Sequence, residues 1–305
     1  MEKIGVALGA GAARGWAHIG VLKALQESEL KINWVAGTSI GALVGAVYAA
    51  GKIDDFAKDI LKMDWKRVLS MVDLVFPRNG LIDGRKVVDF LKQYLPSKIE
   101  ELQIPFAAVS TDLYTGEEIV LKTGSTIEAV RASIAVPAIF TPVIKNKKCL
   151  VDGGLVNPVP VNVVKSLGAK KVLAVDLNYR RKKNKKAQIE IKLLNNKKDS
   201  EWLEKISKKV KNKLSKIEIP LLEEVKSWMT KAEDIPHIFE IMHTSITVME
   251  ERLTNILFEV CPPDFLIRPS LGSIGFMDFH KGKEGIEMGY LETKKLLKSL
   301  NIDKI

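Results

Sequence analysis

The sequence predicts an α/β fold that carries a mainly helical, basic insertion. Three observations predict it. Short apolar runs with β-branched members alternate with stretches of helical spacing over residues 1–179. Two glycine-rich turns, at residues 9–15 and 37–41, each follow an apolar run and open a helical stretch. Residues 180–261 read as almost purely helical, and their first part, residues 180–216, holds the surplus charge of the whole chain. At 305 residues the chain suits two domains, or one large α/β domain with an insertion. With 46% hydrophobic and 28% charged residues, collagen-like, disordered and disulfide-scaffold classes are excluded. A mean hydropathy of +0.04 excludes a polytopic membrane protein.

The elements follow in order. Residues 3–8 predict a strand, and residues 16–25 a helix after the first glycine turn. Residues 34–36 predict a second strand that stops at Gly37, and residues 40–50 a small, apolar, buried helix. Residues 32–51 hold no charge, long enough for a membrane span. Asn33, Thr38, Ser39 and four glycines make a buried strand, turn and helix the better reading. Residues 54–69 predict one helix, residues 76–80 a turn, and residues 85–94 a helix closed by Pro96. Strands are expected at 105–111 and 117–122, then a helix at 125–135 closed by Pro137. Residues 143–144 and 149–151 flank a polar turn as a hairpin would. Residues 172–177 predict a central strand, 236–260 a long helix stopped by Pro262-Pro263, 265–268 a last strand and 281–300 a terminal helix. The expected division is a body of residues 1–179 and 263–305, with residues 180–262 as a Lys-rich insertion or lid.

The net charge of +10 is uneven. Residues 180–216 contain fifteen Lys or Arg against four acids, a net +11, which leaves −1 for the rest. Leu203, Ile206, Val210, Leu214 and Ile217 recur at helical steps, and Lys205, Lys208, Lys209, Lys211 and Lys213 fill most of the other faces. Such a helix lies on an anionic membrane surface, or packs its apolar face on its own domain with the lysines solvated. Nucleic acid is not expected, because aromatics are sparse there and no recognition motif appears.

Cys149 and Cys261 show no CxxC spacing, and the four histidines show no HExxH motif. No metal and no cofactor are expected. The first residues make a poor leader peptide, since Gly5, Gly9 and Gly11 break the apolar stretch and Arg14 follows at once.

Gly37-Thr38-Ser39-Ile40-Gly41 is a GxSxG sequence between a strand and a helix. That is the context of a nucleophile elbow, where small neighbours permit a sharp turn that pushes the serine out at a helix N-terminus. The alternative is a tight buried turn with a capping serine. Gly272-Ser273-Ile274-Gly275 fails as a rival because Leu271 stands at the first glycine's place. Residues 9–15 fit a dinucleotide loop at Gly9 and Gly11 but not at Arg14, and no acidic residue follows at the ribose distance. A loop of free amides for an oxyanion is the other reading. Val151-Asp152-Gly153-Gly154 takes an aspartate from a strand into a double-glycine turn. The serine needs a base, and from the residues alone Asp152 and His280 are nearly equal candidates, with His18 a third. Arg131 reads either as a helix-surface residue or as a brace of the site through a carboxylate, Ser133 as a helix C-terminal hydroxyl, and Asp112 as a strand-end turn residue.

Together these features resemble the patatin-like phospholipase family, in its short bacterial form. The resemblance covers almost the whole chain. It rests on the loop ending Arg14-Gly15, the elbow, and Asp152-Gly153-Gly154, in that order. Gly80-Leu81-Ile82-Asp83-Gly84, Thr111-Asp112-Leu113 and Arg131-Ala132-Ser133-Ile134-Ala135-Val136-Pro137 add to it. The resemblance implies a three-layer α/β/α fold in which the body is the catalytic domain. It implies a Ser-Asp dyad, with Ser39 as nucleophile and Asp152 as base. Gly11, Ala12 and Arg14 would give oxyanion amides, with Gly9, Gly15, Gly37, Gly41, Gly153 and Gly154 as motif glycines. Where glycines are usual in that loop this sequence has Ala10 and Ala12. An alanine held at positive φ costs on the order of 1 kcal/mol.

A free aspartate is a weak base for an alcohol, so the dyad requires burial that raises its pKa and direct contact with Ser39. The expected activity is hydrolysis of fatty-acyl esters of phospholipids or lysophospholipids through an acyl-enzyme. The alternatives are a general carboxylesterase and a non-catalytic lipid- or partner-binding protein. The expected location is the cytoplasm, with peripheral contact at the inner face of the membrane through the five lysines.

Overall fold

The computed structural model describes residues 3–28, 30–73, 81–179 and 238–300. The turn expected at 76–80 and the basic helix with Lys205, Lys208, Lys209, Lys211 and Lys213 lie outside the described residues. Residues 1–181 and 249–305 make one compact unit and residues 182–248 another. Of the latter only 238–248 are described, the first part of a helix in which the Thr247 hydroxyl donates to the His243 carbonyl at 3.0 Å. Among the described residues no helix is long and apolar enough to cross a membrane.

The first unit is built on an eight-stranded mixed sheet. Strand β1 (Ile4–Leu8) leads through a 3-10 turn (Ala12–Trp16) into α1 (Ala17–Glu27). Then come β2 (Ile32–Thr38), α2 (Ile40–Ala49), α3 (Ile53–Leu61), α4 (Trp65–Ser70) and α5 (Arg85–Leu91). Next are β3 (Phe106–Asp112), β4 (Glu118–Leu121), α6 (Thr126–Ser133), β5 (Val143–Lys145) and β6 (Lys148–Asp152). The chain ends with α7 (Val161–Ser166), β7 (Lys171–Val175), α8 (Ile238–Val260), β8 (Phe265–Ile267) and α9 (Gly282–Ser299). The path of hydrogen-bonded neighbours is β5-β6-β3-β2-β1-β7-β8, with β4 also paired to β3. Strands β3, β2, β1, β7 and β8 are parallel; β4 and β6 run antiparallel to β3.

Alternate strand residues serve two cores, as the period of two requires. Val6, Leu8, Val35, Leu173 and Val175 face a core shared with α1, α2, α3 and α9 through Leu22, Val44, Phe56 and Leu297. Ala7, Ala36, Val109, Val172 and Ala174 face a second core with Val161, Val163 and Val164 of α7. That gives the three α/β/α layers. The uncharged stretch 32–51 is β2 and α2, buried within them.

Two expectations are corrected. The single helix expected over 54–69 is α3 and α4, because the Asp64 carboxylate accepts the Arg67 amide at 2.8 Å and starts a new helix. The strand expected to be central, β7, lies one in from the β8 edge. Its unbroken apolar run reflects burial on both faces rather than a middle position.

The pairings of β3 juxtapose the two motifs. Strand β4 pairs with β3 residues 108–111 along one edge, so β2, paired at 106–109, occupies the other. β6 pairs at 110–112 and overlaps β4, so it shares the edge of β2. Thr38 faces Val109, and Asp152 faces Ser110, the next residue along. The residue after Thr38 therefore meets the end of β6.

Candidate active site

Ser39 sits between β2 and α2 at φ 57°, ψ −127°, a strained backbone for a non-glycine residue. Its surroundings hold it there. Its amide donates to Ser133 Oγ at 2.9 Å, and its carbonyl accepts the Ala42 amide at 2.9 Å. Ser133 Oγ in turn donates to the Val109 carbonyl at 2.5 Å, which ties the elbow to β3. A Cβ on Gly37 would lie 2.3 Å from the Gly41 carbonyl oxygen, and one on Gly41 would lie 2.2 Å from that of Leu8. Both glycines of the GxSxG sequence are thus required by close backbone approach.

Asp152 closes β6. Its Oδ2 accepts the Ser39 hydroxyl at 2.6 Å, and its Oδ1 accepts the Gly154 amide at 2.8 Å. Burial pushes its pKa from 3.8 up to about 6, against the opposing pull of the hydrogen bonds from Ser39 and Gly154. Gly153, between them in sequence, lies against the Val109 carbonyl. The carboxylate thus has the contact and the raised proton affinity that a base for an alcohol requires.

The glycine turn of residues 9–15 lies beside this pair, since Gly15 packs on the Ile40 side chain. Most of its amides are committed. Gly9 donates to Val175, Ala10 to Pro158, Ala13 to Phe276 and Arg14 to Gly11, all carbonyls at 2.9–3.1 Å. Among the described residues no protein acceptor is found for the amides of Gly11 and Ala12. Of the three amides expected in the oxyanion hole, Arg14's is turned into the 3-10 turn instead, as the i→i+3 bond demands. Of the two alanines at glycine places, Ala12 has the positive φ, 47°.

The other candidates have different places. His18 is fully buried; its Nε2 donates to the Gly9 carbonyl at 2.7 Å, and burial pushes its pKa down to about 4. It is a neutral prop under the glycine turn. His280 stacks on the Trp65 ring at 4.1 Å. Ser273 donates to Glu284 on the surface. Arg131 is neither a surface residue nor a carboxylate brace. It is buried and donates to the carbonyls of Asp83 and Thr141, holding two chain segments together. Asp112 does cap a strand-end turn, accepting the Tyr114 amide at 3.4 Å. Ser133, read as a helix-end hydroxyl, is the residue whose role the sequence hid. Its contacts to Ser39 and Val109 span 94 and 24 residues, and no local pattern announces them.

Comparison with known proteins identifies the family. The family described as patatin-like phospholipase matches residues 6–165. An uncharacterised NTE family protein of Mycobacterium tuberculosis is 38% identical over 177 residues, covering 58% of this chain and 49% of that protein. Patatin-like phospholipase domain-containing protein 6 of Mus musculus is 28% identical over 295 residues, covering 94% of this chain and 20% of that protein. Neuropathy target esterase sws of Drosophila melanogaster is 34% identical over 183 residues, covering 58% and 13%. The chain thus spans about half the length of the mycobacterial relative and a fifth or less of the animal ones. The matched region contains the end of β1, the elbow, the sheet edge at β3 and the Asp152 turn, and the chain belongs to the patatin-like phospholipase family.

Proposed function

We propose that this protein hydrolyses fatty-acyl esters of phospholipids or lysophospholipids, with Ser39 as nucleophile and Asp152 as its base. The observation that carries the reading is the 2.6 Å hydrogen bond from the Ser39 hydroxyl to a buried carboxylate. The family and the names of the relatives, a phospholipase domain and an esterase, support an ester substrate.

The steps balance with these groups alone. Asp152 takes the Ser39 proton as Oγ attacks the ester carbonyl, and the amides of Gly11 and Ala12 hold the oxyanion. The N-terminus of α2, directly after Ser39, adds its positive end. Collapse passes the proton to the departing alcohol and leaves an acyl-serine. Water then gives a proton to Asp152, its oxygen attacks the acyl carbon, and the proton returns to Ser39 Oγ. Lys205, Lys208, Lys209, Lys211 and Lys213 hold the protein at the anionic inner face of the membrane.

The test combines a fluorophosphonate probe with two substrates. The probe is expected to label Ser39 and to lose its target in Ser39→Ala. Asp152→Asn is expected to lower kcat on a soluble p-nitrophenyl ester by about 1000-fold or more. His280→Ala should leave kcat within about 2-fold of the parent. The base works ionised, so kcat should fall as the pH drops through about 6, the value to which burial raises Asp152. Phospholipid vesicles should be cleaved faster than the soluble ester; equal rates would favour a general carboxylesterase. Labelling at Ser133 or Ser273, or silence only in His280→Ala, would sink the dyad.

A further inference from the structure

One buried acid of the first unit has no part in the reaction above. Glu250, on α8, is 9% exposed, and its Oε2 accepts the Asn178 side-chain amide at 2.7 Å. Its other oxygen lies over Gly154. A Cβ added to Gly154 would sit 2.2 Å from Glu250 Oε1 and 3.1 Å from Asp152 Oδ1. The amide of the same glycine is the donor to Asp152 Oδ1. Two carboxyl groups therefore close on one glycine, and the space a side chain would fill there is taken by Glu250.

We propose that Glu250 is a positioning residue that acts through Asp152: its side chain closes the back of the Asp152 turn, and its charge state sets how strongly Asp152 draws the serine proton. The proposal rests on the Ser39–Asp152 reading.

The surroundings explain why an acid here differs from a spacer. Asp152 faces it from the end of β6, and Asp176, paired to Arg268, lies beyond β7. Arg14, of the 3-10 turn, is the cation whose field reaches it. Burial first, then the Asp152 charge, pushes the Glu250 pKa up to about 8, against the pull of Arg14 and the Asn178 hydrogen bond. At pH 7 Glu250 holds its proton, and Asp152 keeps the negative charge of the pair. Above pH 8 a second charge appears across Gly154. In the transition state Asp152's charge passes through Ser39 to the oxyanion. With Glu250 ionised that transfer relieves repulsion, because the charge leaves the carboxylate that Glu250 meets across Gly154. Asp152 then becomes the stronger base, and the chemical step quickens.

The experiment is a pH profile of kcat and KM on a soluble ester from about pH 5 to about pH 10. The full chain is compared with Glu250→Gln, Glu250→Ala and Asp152→Asn, and probe labelling of Ser39 reports that each site is folded. The parent kcat is expected to rise through about pH 6 and again, by about 3-fold or more, through about pH 8, with little change in KM. Glu250→Gln should keep the first rise and lose the second. Glu250→Ala should lower kcat at pH 7 by about 10-fold, and Gln should recover most of that loss. A second rise that persists in Glu250→Gln, none in the parent, or equal profiles for Ala and Gln would overturn the proposal. If Asp152→Asn turns over normally, the dyad itself is wrong. If Asp152→Asn is silent while Glu250→Gln matches the parent, only the role of Glu250 fails.

Discussion

Asp152 and Asp176 are both buried aspartates at the end of a sheet strand, yet their surroundings are opposite. Asp176 Oδ2 accepts Arg268 Nε at 2.9 Å, and Oδ1 accepts the Asn178 amide at 3.1 Å. Arg268 is itself held over the Tyr179 ring at 4.2 Å. Asp152 instead accepts a hydroxyl and one amide, and no guanidinium or ammonium is hydrogen-bonded to it among the described residues. A buried carboxylate with a cation is a strut. One without a cation is destabilising, and its raised proton affinity is what a base for Ser39 needs. Burial alone thus does not mark a functional acid; burial without a counter-charge beside a nucleophile does.

The comparison predicts opposite signs of stability change. Asp152→Asn should stabilise the fold at pH 8 by about 2 kcal/mol in denaturant titrations. The sign follows from the raised value: the folded state binds the proton more tightly, so stability falls as the pH rises from 3.8 to about 6, and asparagine removes that loss. Asp176→Asn should destabilise by about 2 kcal/mol, because it leaves Arg268 half-buried without its partner. Changes of the same sign would break the comparison. A smaller effect is expected from Ser133→Ala, which removes the acceptor of the Ser39 amide. It should lower kcat by about 10-fold and stability by about 1 kcal/mol, with KM little moved. A fall in KM as large as that in kcat would instead place Ser133 in strain relief. The smallest effect on the chemistry is expected where charge is in surplus. Changing Lys205, Lys208, Lys209, Lys211 and Lys213 to Gln should leave the soluble-ester rate within about 2-fold, while anionic-vesicle binding weakens by about 1 kcal/mol per lysine near the surface. Equal loss on both substrates would make that segment part of the reacting site.

What was legible in the sequence was what is local. The elbow announces itself because Gly37 and Gly41 are demanded by backbone contacts within a few residues and from Leu8. The Asp152 turn is legible as a strand followed by two glycines. The choice between Asp152 and His280 was not legible, since it depends on β2 and β6 sharing one edge of β3. Ser133 and Glu250 were not legible for the same reason. Each makes its contacts across the fold, and Glu250 lies in a stretch whose sequence reads as insertion while its side chain is buried beside Gly154. The break between α3 and α4 was missed because helical spacing continues through Asp64, and only the capping bond stops it.

The glycine turn is pinned from the far end of the chain. The Ala13 amide donates to the Phe276 carbonyl at 3.0 Å, the Trp16 indole donates to the Phe279 carbonyl at 3.0 Å, and α1 packs along α9. During synthesis Ser39 and Asp152 leave the ribosome well before residues 276–299. The strands that join them can pair early, and Val175 and Pro158 can take the first amides of the turn, but its contacts to Phe276 and Phe279 wait for that later stretch. Contacts separated by more than 260 residues form late, because loop closure must precede them. Until that stretch emerges, the nascent chain holds Ser39 and Asp152 beside a glycine turn that lacks part of its support. Emergence of residues 276–299 sets the moment at which the glycine turn is fully fastened.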